Sequence, residues 1–158
     1  MKAGYIYLAL LCFFFACTKS RILVENLSRD HRGYYKGDTL YTGILIEKSD
    51  SGILLSERSV KNGVLNGVCK YWHENGQLRK VEKVKNWYIN GIEREWYDNG
   101  QLKREGSYKM GKRDGILRSW HKNGLLKSEG KYSEDKHKNT VVVYYKEWDE
   151  NGVLIIEK

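Results

Sequence analysis

The feature that most constrains the fold of this chain is a 24-residue internal repeat. Glycines recur at that interval in two series, Gly43, Gly67, Gly91, Gly115 and Gly52, Gly76, Gly100, Gly124, and Gly152 follows the second series after 28 residues. A leucine stands two residues after each glycine of the second series and after Gly152, and a tryptophan stands four residues before the last four of these glycines, at Trp72, Trp96, Trp120 and Trp148. Recurrence at one fixed spacing indicates supersecondary units that pack against their neighbours.

Each unit has the local signature of a β-hairpin, an alternating run on either side of an Asn-Gly turn. The units read GVCKYWHENGQL, GIEREWYDNGQL, GILRSWHKNGLL and YKEWDENGVL, after a degenerate first unit GILIEKSDSGIL. A two-residue turn would set Trp72 opposite Arg79. A three-residue loop with a left-handed glycine sets Trp72 opposite Leu78 instead, so that the recurrent Trp and Leu share one face. We favour that loop, which predicts structural turn glycines at Gly76, Gly100, Gly124 and Gly152.

The predicted fold is all-β, an elongated single-layer antiparallel sheet of stacked hairpins. About five units of 24 residues form a repeat domain at residues 37–158, and Val68, Ile92 and Ile116 join the tryptophans and leucines on one face. A lone hairpin is marginal in water, so stability has to come from neighbouring units. The four additional residues of the last interval predict a surface excursion at residues 134–139. Unit one has Lys48 in place of the tryptophan, which suggests an N-terminal cap.

The first residues of the chain have the pattern of an export signal. Lys2 precedes fourteen uncharged, mostly apolar residues, a run shorter than the ~20 residues that span a membrane and typical of a signal peptide. The run ends in Phe14-Phe15-Ala16-Cys17, which resembles a bacterial lipobox and implies a diacylated Cys17. We therefore expect a helical signal peptide at residues 1–16, and a lipidated cysteine with a polar tether at residues 17–36. The alternative is an ordinary signal peptide or uncleaved anchor with an incidental cysteine.

No set of residues in the sequence points to catalysis. His73 and His121 occupy the same position two units apart, so their recurrence is expected to be structural. Glu93 and Glu95 alternate with Arg94 as on a solvated sheet face, and nothing marks either carboxylate for a raised pKa. Nucleophile, zinc-protease, phosphate-loop and dinucleotide motifs do not occur in the sequence. We expect no enzyme activity, no metal site and no cofactor.

The charge pattern limits the classes of binding partner, and the position of Cys69 indicates a structural residue. The net charge of +8 is spread over interleaved acidic and basic residues, as on an ordinary soluble surface, and we expect no nucleic-acid binding. Attraction to anionic lipid or cell-wall polymer stays open. Cys69 is the cysteine left after the signal and the anchor, and we interpret it as a small buried strand residue.

The pattern GxxxxWYxNGQL, followed by an apolar or aromatic position at Val60, Val84, Tyr108 and Tyr132, resembles the MORN-repeat variant. This unit is found in bacterial antitoxin-like proteins of the YwqK family. The resemblance extends from Gly43 to the C-terminus. It implies a twisted single-layer sheet of hairpins, protein–protein contact, sometimes lipid contact, and for the antitoxin label a toxin partner. A lipobox departs from the antitoxin label, because a cytoplasmic antitoxin needs no membrane anchor.

The expected function is that of a non-catalytic protein-interaction lipoprotein of the bacterial envelope, in the outer membrane if the cell has two membranes. The partner is a protein, in an antitoxin or immunity role a toxin, and open sheet edges allow a homodimer. Binding of cell-wall glycan or anionic lipid is the alternative, and an envelope spacer is a third. The candidate binding face consists of Tyr71, Trp72, Trp96, Tyr97, Trp120 and Trp148.

Overall fold

The computed structural model describes residues 20–158, so the expected signal peptide and Cys17 lie outside the described residues. Within this range no helix is both long enough and apolar enough to cross a membrane. One 3₁₀ turn, Val24–Asn26, follows the first strand. The strands are β1 Arg21–Leu23, β2 Ser28–Arg29, β3 Tyr34–Lys36, β4 Thr39–Leu40, β5 Gly43–Lys48, β6 Leu54–Lys61, β7 Val64–Trp72, β8 Leu78–Lys85, β9 Tyr88–Trp96, β10 Leu102–Lys109, β11 Lys112–Trp120, β12 Leu126–Glu134, β13 Thr140–Trp148 and β14 Leu154–Glu157.

The strands from β5 to β14 form one open antiparallel meander, with each strand bonded to the next along the chain. With β1, which pairs in parallel with β5, they make an 11-stranded sheet. Strands β2, β3 and β4 form a separate small sheet. The predicted all-β hairpin array is confirmed. The surface excursion also lies where it was expected, between the end of β12 at Glu134 and the start of β13 at Thr140.

The three-residue loop is the one that the units use. Trp72 lies opposite Leu78, and the same pairing joins each later tryptophan to the leucine six residues on. In the first of these loops, the His73 N–H donates to the Gln77 carbonyl at 2.8 Å and the Gly76 N–H donates to the His73 carbonyl at 2.9 Å. Gly76 has φ +82°, and the equivalent glycines have nearly the same value. The glycine therefore supplies a left-handed backbone, which side-chain-bearing residues rarely adopt.

We expect Gly76→Ala to destabilise the protein by about 1 kcal/mol. A Cβ at this position would meet no atom within 4 Å, so the loss would come from the backbone conformation and not from a clash. Gly76→Asn should lose less, because asparagine tolerates left-handed backbone. Urea unfolding followed by circular dichroism measures both variants. Equal losses in the two variants would contradict a conformational cause.

The N-terminal segment differs from the tether that we expected at residues 17–36. From Arg21 onward it is folded, because its apolar side chains cover the first strands of the sheet. Tyr34, Tyr41, Leu45 and Val60 are buried together, and the partly buried residues Ile22, Val24, Leu27 and Leu65 pack against them. We call residues 20–42 the cap. It protects the β5 edge, which would otherwise be an open template for strand pairing, and it supplies a second layer.

Trp87 contacts the cap from a turn of the sheet in which it has a left-handed backbone conformation. The two-residue turns on this edge end in glycine at Gly63 and Gly111, but Trp87 takes the equivalent place with φ +72°. Its ring lies 5.9 Å from the ring of Tyr34. The Arg29 guanidinium lies over both rings, at 5.2 Å from Tyr34 and 5.3 Å from Trp87. Contacts of this kind between a cation and aromatic rings are stabilising, and they offset the strain of a left-handed tryptophan.

Candidate interaction surfaces

The candidate residues do not form a single surface. Side chains alternate along a strand, so Trp72 and its neighbour Tyr71 point to opposite faces of β7. We call the side that carries the four tryptophans the Trp face. Tyr71 lies on the other side, where its hydroxyl donates to Glu82 at 2.9 Å. Tyr97 is a turn residue, and its hydroxyl donates to the Trp120 carbonyl at 2.9 Å.

The tryptophans form a half-buried row beside the turns. Each lies opposite its leucine, and the pairs follow one another across the sheet in the order of the strands. Aromatic–aliphatic pairs of this kind contribute roughly 0.2–1 kcal/mol each. The row ends at the last pair, where Leu154 is 44% exposed. The tryptophans thus contribute to packing and also present part of their surface.

The residue after each of the first three tryptophans forms a hydrogen bond to the next hairpin. The His73 Nε2 lies 3.0 Å from the Trp96 carbonyl, and the His121 Nε2 lies 2.9 Å from the Trp148 carbonyl. Tyr97 makes the equivalent bond to Trp120. Asn75 and Asn123 add bonds to the carbonyls of Asp98 and Glu150 at 2.8 Å. These bonds give the recurrence of His, Tyr and Asn a structural reason.

We expect Tyr97→Phe to lower the free energy of unfolding by about 1 kcal/mol, the typical contribution of one hydrogen bond. The ring and its packing are kept, so the loss reports the bond to Trp120 alone. Tyr88→Phe is the matched control, since Tyr88 is 54% exposed and its hydroxyl makes no hydrogen bond within residues 20–158. Thermal unfolding of both variants measures the difference. A control that falls as far as Tyr97→Phe would show that the bond contributes nothing.

The face opposite the tryptophans is the better buried one. Register partners place Cys69, Glu82 and Glu93 side by side across β7, β8 and β9. Cys69 is fully buried, and Glu82 and Glu93 are only 6% and 5% exposed. Glu93 was expected on a solvated face with an ordinary pKa, and that expectation is wrong. Burial raises the pKa of Glu93, although the nearby Arg104 acts in the opposite direction.

Each buried carboxylate is paired with a cation, from the neighbouring strand β10 for Glu93 and from the same strand for Glu82. Arg104 lies 2.8 Å from Glu93 and 3.2 Å from Glu95, and Lys80 lies 2.9 Å from Glu82. The Tyr71 hydroxyl also donates to Glu82. Burial raises the pKa of Tyr71, and the negative charge of Glu82 acts in the same direction. Buried charges need such partners. The ion pairs give these carboxylates a role in the packing of this face.

Cys69 lies on this buried face, and its thiol is unreactive. Burial raises the pKa of the Cys69 thiol, which keeps it in the unreactive protonated form. Among residues 20–158, no three His, Cys, Asp or Glu side chains are grouped to hold a metal ion. The absence of enzyme activity stays a prediction.

The Trp face carries a second row, which is exposed and which the sequence predicts on this face but not as a contact surface. Val68, Ile92 and Ile116 are 46%, 49% and 39% exposed. We call these three residues the Val–Ile row. They lie on β7, β9 and β11, where the sheet is a single layer whose strands contact mainly their neighbours. Three aliphatic side chains in a line on an uncovered face are a candidate contact surface.

The far end of the sheet is the other apolar surface. Val153 and Ile155 beside and on β14 are 60% and 61% exposed, and Val142 and Val143 on β13 are 57% and 54% exposed. Strand β14 pairs only with the second half of β13. This end therefore presents backbone groups and apolar side chains together, the combination that favours pairing with another strand.

An open single-layer sheet built from hairpins of one period defines a β-hairpin repeat protein. Residues 65–86 and 89–110 match the sequence model of the MORN repeat variant. The chain therefore contains MORN-variant repeats, and the matched segments are the hairpin units that contain Trp72 and Trp96. No curated protein matches the chain.

Proposed function

We propose that this protein is a non-catalytic protein-interaction module that a lipidated Cys17 holds at the bacterial envelope. The observation that carries the proposal is the exposed Val–Ile row on the Trp face. Binding surfaces bury apolar side chains that stay exposed in the free protein. The row repeats with the 24-residue period, so each unit presents the same kind of side chain in the same place. An array of this kind suits a partner that lies across the strands.

The membrane anchor rests on the sequence. Cys17 ends an apolar run directly after Ala16, and polar Thr18, Lys19 and Ser20 follow. Two acyl chains give durable attachment, because each buried methylene contributes roughly 0.8 kcal/mol. The cap begins only a few residues after Cys17, so the anchor would hold the cap end of the sheet near the membrane. The tryptophan and Val–Ile rows would then extend away from it.

An immunity-type role follows if the partner is a toxin. The resemblance to YwqK-family antitoxin-like proteins supports this role, and the proposed anchor restricts it to a toxin that acts in the envelope. A second copy of the chain is a further candidate partner, supported by the exposed Val153 and Ile155 at the β14 edge.

Site-specific photocrosslinking tests the proposal. The whole chain, with its own first residues, is expressed in a bacterial host with benzoylphenylalanine in place of Ile92 or, as the matched exposed position, in place of Ile155. We expect one discrete protein adduct from the Ile92 position and a different adduct, or a dimer of the chain, from the Ile155 position. Adducts to many proteins with no discrete band, or none from the Ile92 position, would contradict an interaction face there.

Palmitate labelling tests the anchor separately. Wild type should incorporate labelled palmitate and sediment with membranes, and Cys17→Ser should do neither. Cys69→Ser is the control for labelling, since the Cys69 thiol is buried and should take no acyl group. Label that persists in Cys17→Ser would show that the lipobox interpretation is wrong.

Anionic lipid is the second candidate ligand, and exposed lysines favour it. Lys70, Lys83 and Lys131 lie on the Trp face beside the Val–Ile row. Basic residues near a membrane surface contribute about 1 kcal/mol each. Lipid binding would show as co-sedimentation of a Cys17→Ser protein with phosphatidylglycerol vesicles that falls as the salt concentration rises.

A further inference from the structure

We infer that the Val–Ile row is the binding site for an acidic amphipathic α-helix of the protein partner, and that this helix lies across the strands. This inference rests on the proposed function and adds to it the shape and the charge of the partner. Val68, Ile92 and Ile116 occupy alternate strands of the meander. Neighbouring strands are about 4.8 Å apart, so successive members of the row are spaced by about 9.5 Å.

That spacing fits the repeat of a helix. Seven residues of an α-helix rise about 10.5 Å, so a residue that recurs every heptad meets successive members of the row with a small mismatch. The members of the row are also aligned across the sheet, with a polar residue on each intervening strand. Lys83 lies opposite Val68, Ser107 lies opposite Ile92, and Lys131 lies opposite Ile116. A helix of about four turns therefore covers the whole row, with its apolar side packed on the sheet as amphipathic helices pack in hydrophobic grooves.

The charges beside the row select an acidic helix. The neighbouring row on the Trp face consists of cross-strand ion pairs, Arg94 with Glu105, Arg118 with Glu129 and Lys146 with Glu157. These carboxylates are therefore neutralised. Lys70, Lys83 and Lys131 are exposed and form no ion pair within residues 20–158. The charges left over on this face are thus basic, and glutamates on the flanks of the helix would complement them.

The side chains of the row also argue against a polyproline partner. A polyproline helix repeats every three residues over about 9.3 Å and would fit the spacing as well. Its binding grooves are lined by aromatic rings, however, and this row is aliphatic. Valine and isoleucine instead suit leucine side chains of an amphipathic helix.

Binding of designed peptides to the purified Cys17→Ser chain tests the inference. The probe is a three-heptad helical peptide with leucine at the position facing the sheet, glutamate on both flanks and alanine elsewhere. The controls are the same peptide with lysine for glutamate, a scrambled peptide, an acidic proline-rich peptide and phosphatidylglycerol vesicles. The protein variants are Val68→Ser/Ile92→Ser/Ile116→Ser and, as the matched exposed pair, Val153→Ser/Ile155→Ser.

We expect the acidic helix to bind the protein, with an affinity that falls about tenfold or more in the row variant and stays nearly unchanged in the β14 variant. The lysine peptide and the scrambled peptide should bind much more weakly. The row residues are exposed, so their variants should keep the wild-type circular dichroism spectrum. Equal binding by both variants, or tighter binding of the proline-rich peptide or the vesicles, would overturn the inference. If the helix fails while the Ile92 crosslink to a protein persists, the interaction function stands and only the helical partner is rejected.

Discussion

Leu45→Ala should lower the free energy of unfolding by about 3 kcal/mol, the middle of the range for a leucine truncated in a core that cannot collapse around the cavity. Leu45 is fully buried between the cap and the sheet, with Tyr34, Tyr41 and Val60 around it. This is the place where the protein has two layers, so the packing there carries more of its stability than any part of the single-layer sheet. Urea unfolding at neutral pH measures the loss.

Ile92→Ala is the matched control, because Ile92 is 49% exposed in the single-layer region. Its loss should stay below about 1 kcal/mol. Hydrogen exchange of the Leu45→Ala protein should show the greatest loss of protection in β1, β5 and β6, since repeat proteins gain stability from neighbouring units and can open locally. Equal losses from the two substitutions, or uniform loss of protection, would mean that the cap is not the stable part of the fold.

The hairpin array could be predicted because its information is local and repeated. The Asn-Gly turn, the alternating runs and the requirement that Trp72 and Leu78 share a face together determine the loop and the register. Each unit repeats this pattern, so the loop and register inferred for one unit can be checked against the others. The tryptophans were also rightly predicted to share one face, because alternation along a strand follows from the backbone.

The cap could not be predicted in the same way. Residues 20–42 occur once, their strands are only two or three residues long, and polar residues separate their apolar ones. Their folding depends on contacts with residues far along the chain, such as the bond of 2.9 Å from the Tyr34 N–H to the Gly63 carbonyl. Trp87 is the feature of the sequence that reflects this contact, because it is a tryptophan at a turn position where two other units have glycine, at Gly63 and Gly111.

The buried face was missed for a related reason. The equivalents of Glu82 in later units are Gly106 and Gly130, over which the rings of Tyr108 and Tyr132 lie. When one unit is considered alone, a charged residue such as Glu82 is expected to be exposed to solvent, because nothing within the unit indicates a partner for its charge. In the sheet, Lys80 on the same strand and the Tyr71 hydroxyl on β7 both bind it, and the contact with Tyr71 is visible only across strands. Both faces carry ion pairs, but the exposed face also carries regular apolar residues, while the buried face carries the carboxylates that are shielded from solvent.

This distribution assigns separate tasks to the two faces. On the buried face, the Arg104–Glu93 pair joins two strands, so it contributes to the alignment of the hairpins. The Trp face keeps aliphatic side chains in solvent, at a cost that a purely structural array would avoid. A spacer would have no need of the Val–Ile row, and the row is therefore the strongest argument for a binding function.

Arg104→Met is expected to lower the free energy of unfolding at pH 7 by about 2 kcal/mol, because it leaves the Glu93 carboxylate buried without its cation. The cost lies below that of a fully buried pair because the Arg104 side chain is 41% exposed and water can reach the site. Chemical unfolding of the wild type and the variant at several pH values measures it.

The raised pKa of Glu93 determines how the loss of stability in Arg104→Met changes with pH. Burial already raises the pKa of Glu93, and loss of Arg104 should raise it further. A carboxyl group with a raised pKa in the folded state binds its proton more readily there than in the unfolded chain, where its pKa is about 4.3. Its destabilising effect is therefore full above the folded pKa and is relieved as the pH falls toward the unfolded value. The deficit of Arg104→Met should accordingly shrink between neutral pH and about pH 4.5.

Glu93→Gln in the Arg104→Met background separates this charge effect from lost packing. The amide has nearly the shape of the carboxylate but no charge, so the double variant should recover most of the stability at pH 7 and should lose the added pH dependence. Lys103→Met is the matched control, since Lys103 pairs at 3.1 Å with Glu95 through a side chain that is 45% exposed, and exposed pairs of this kind contribute less than about 1 kcal/mol. A deficit that persists unchanged in the double variant would assign the role of Arg104 to its aliphatic stem, and the buried face would then be held by packing and not by paired charge.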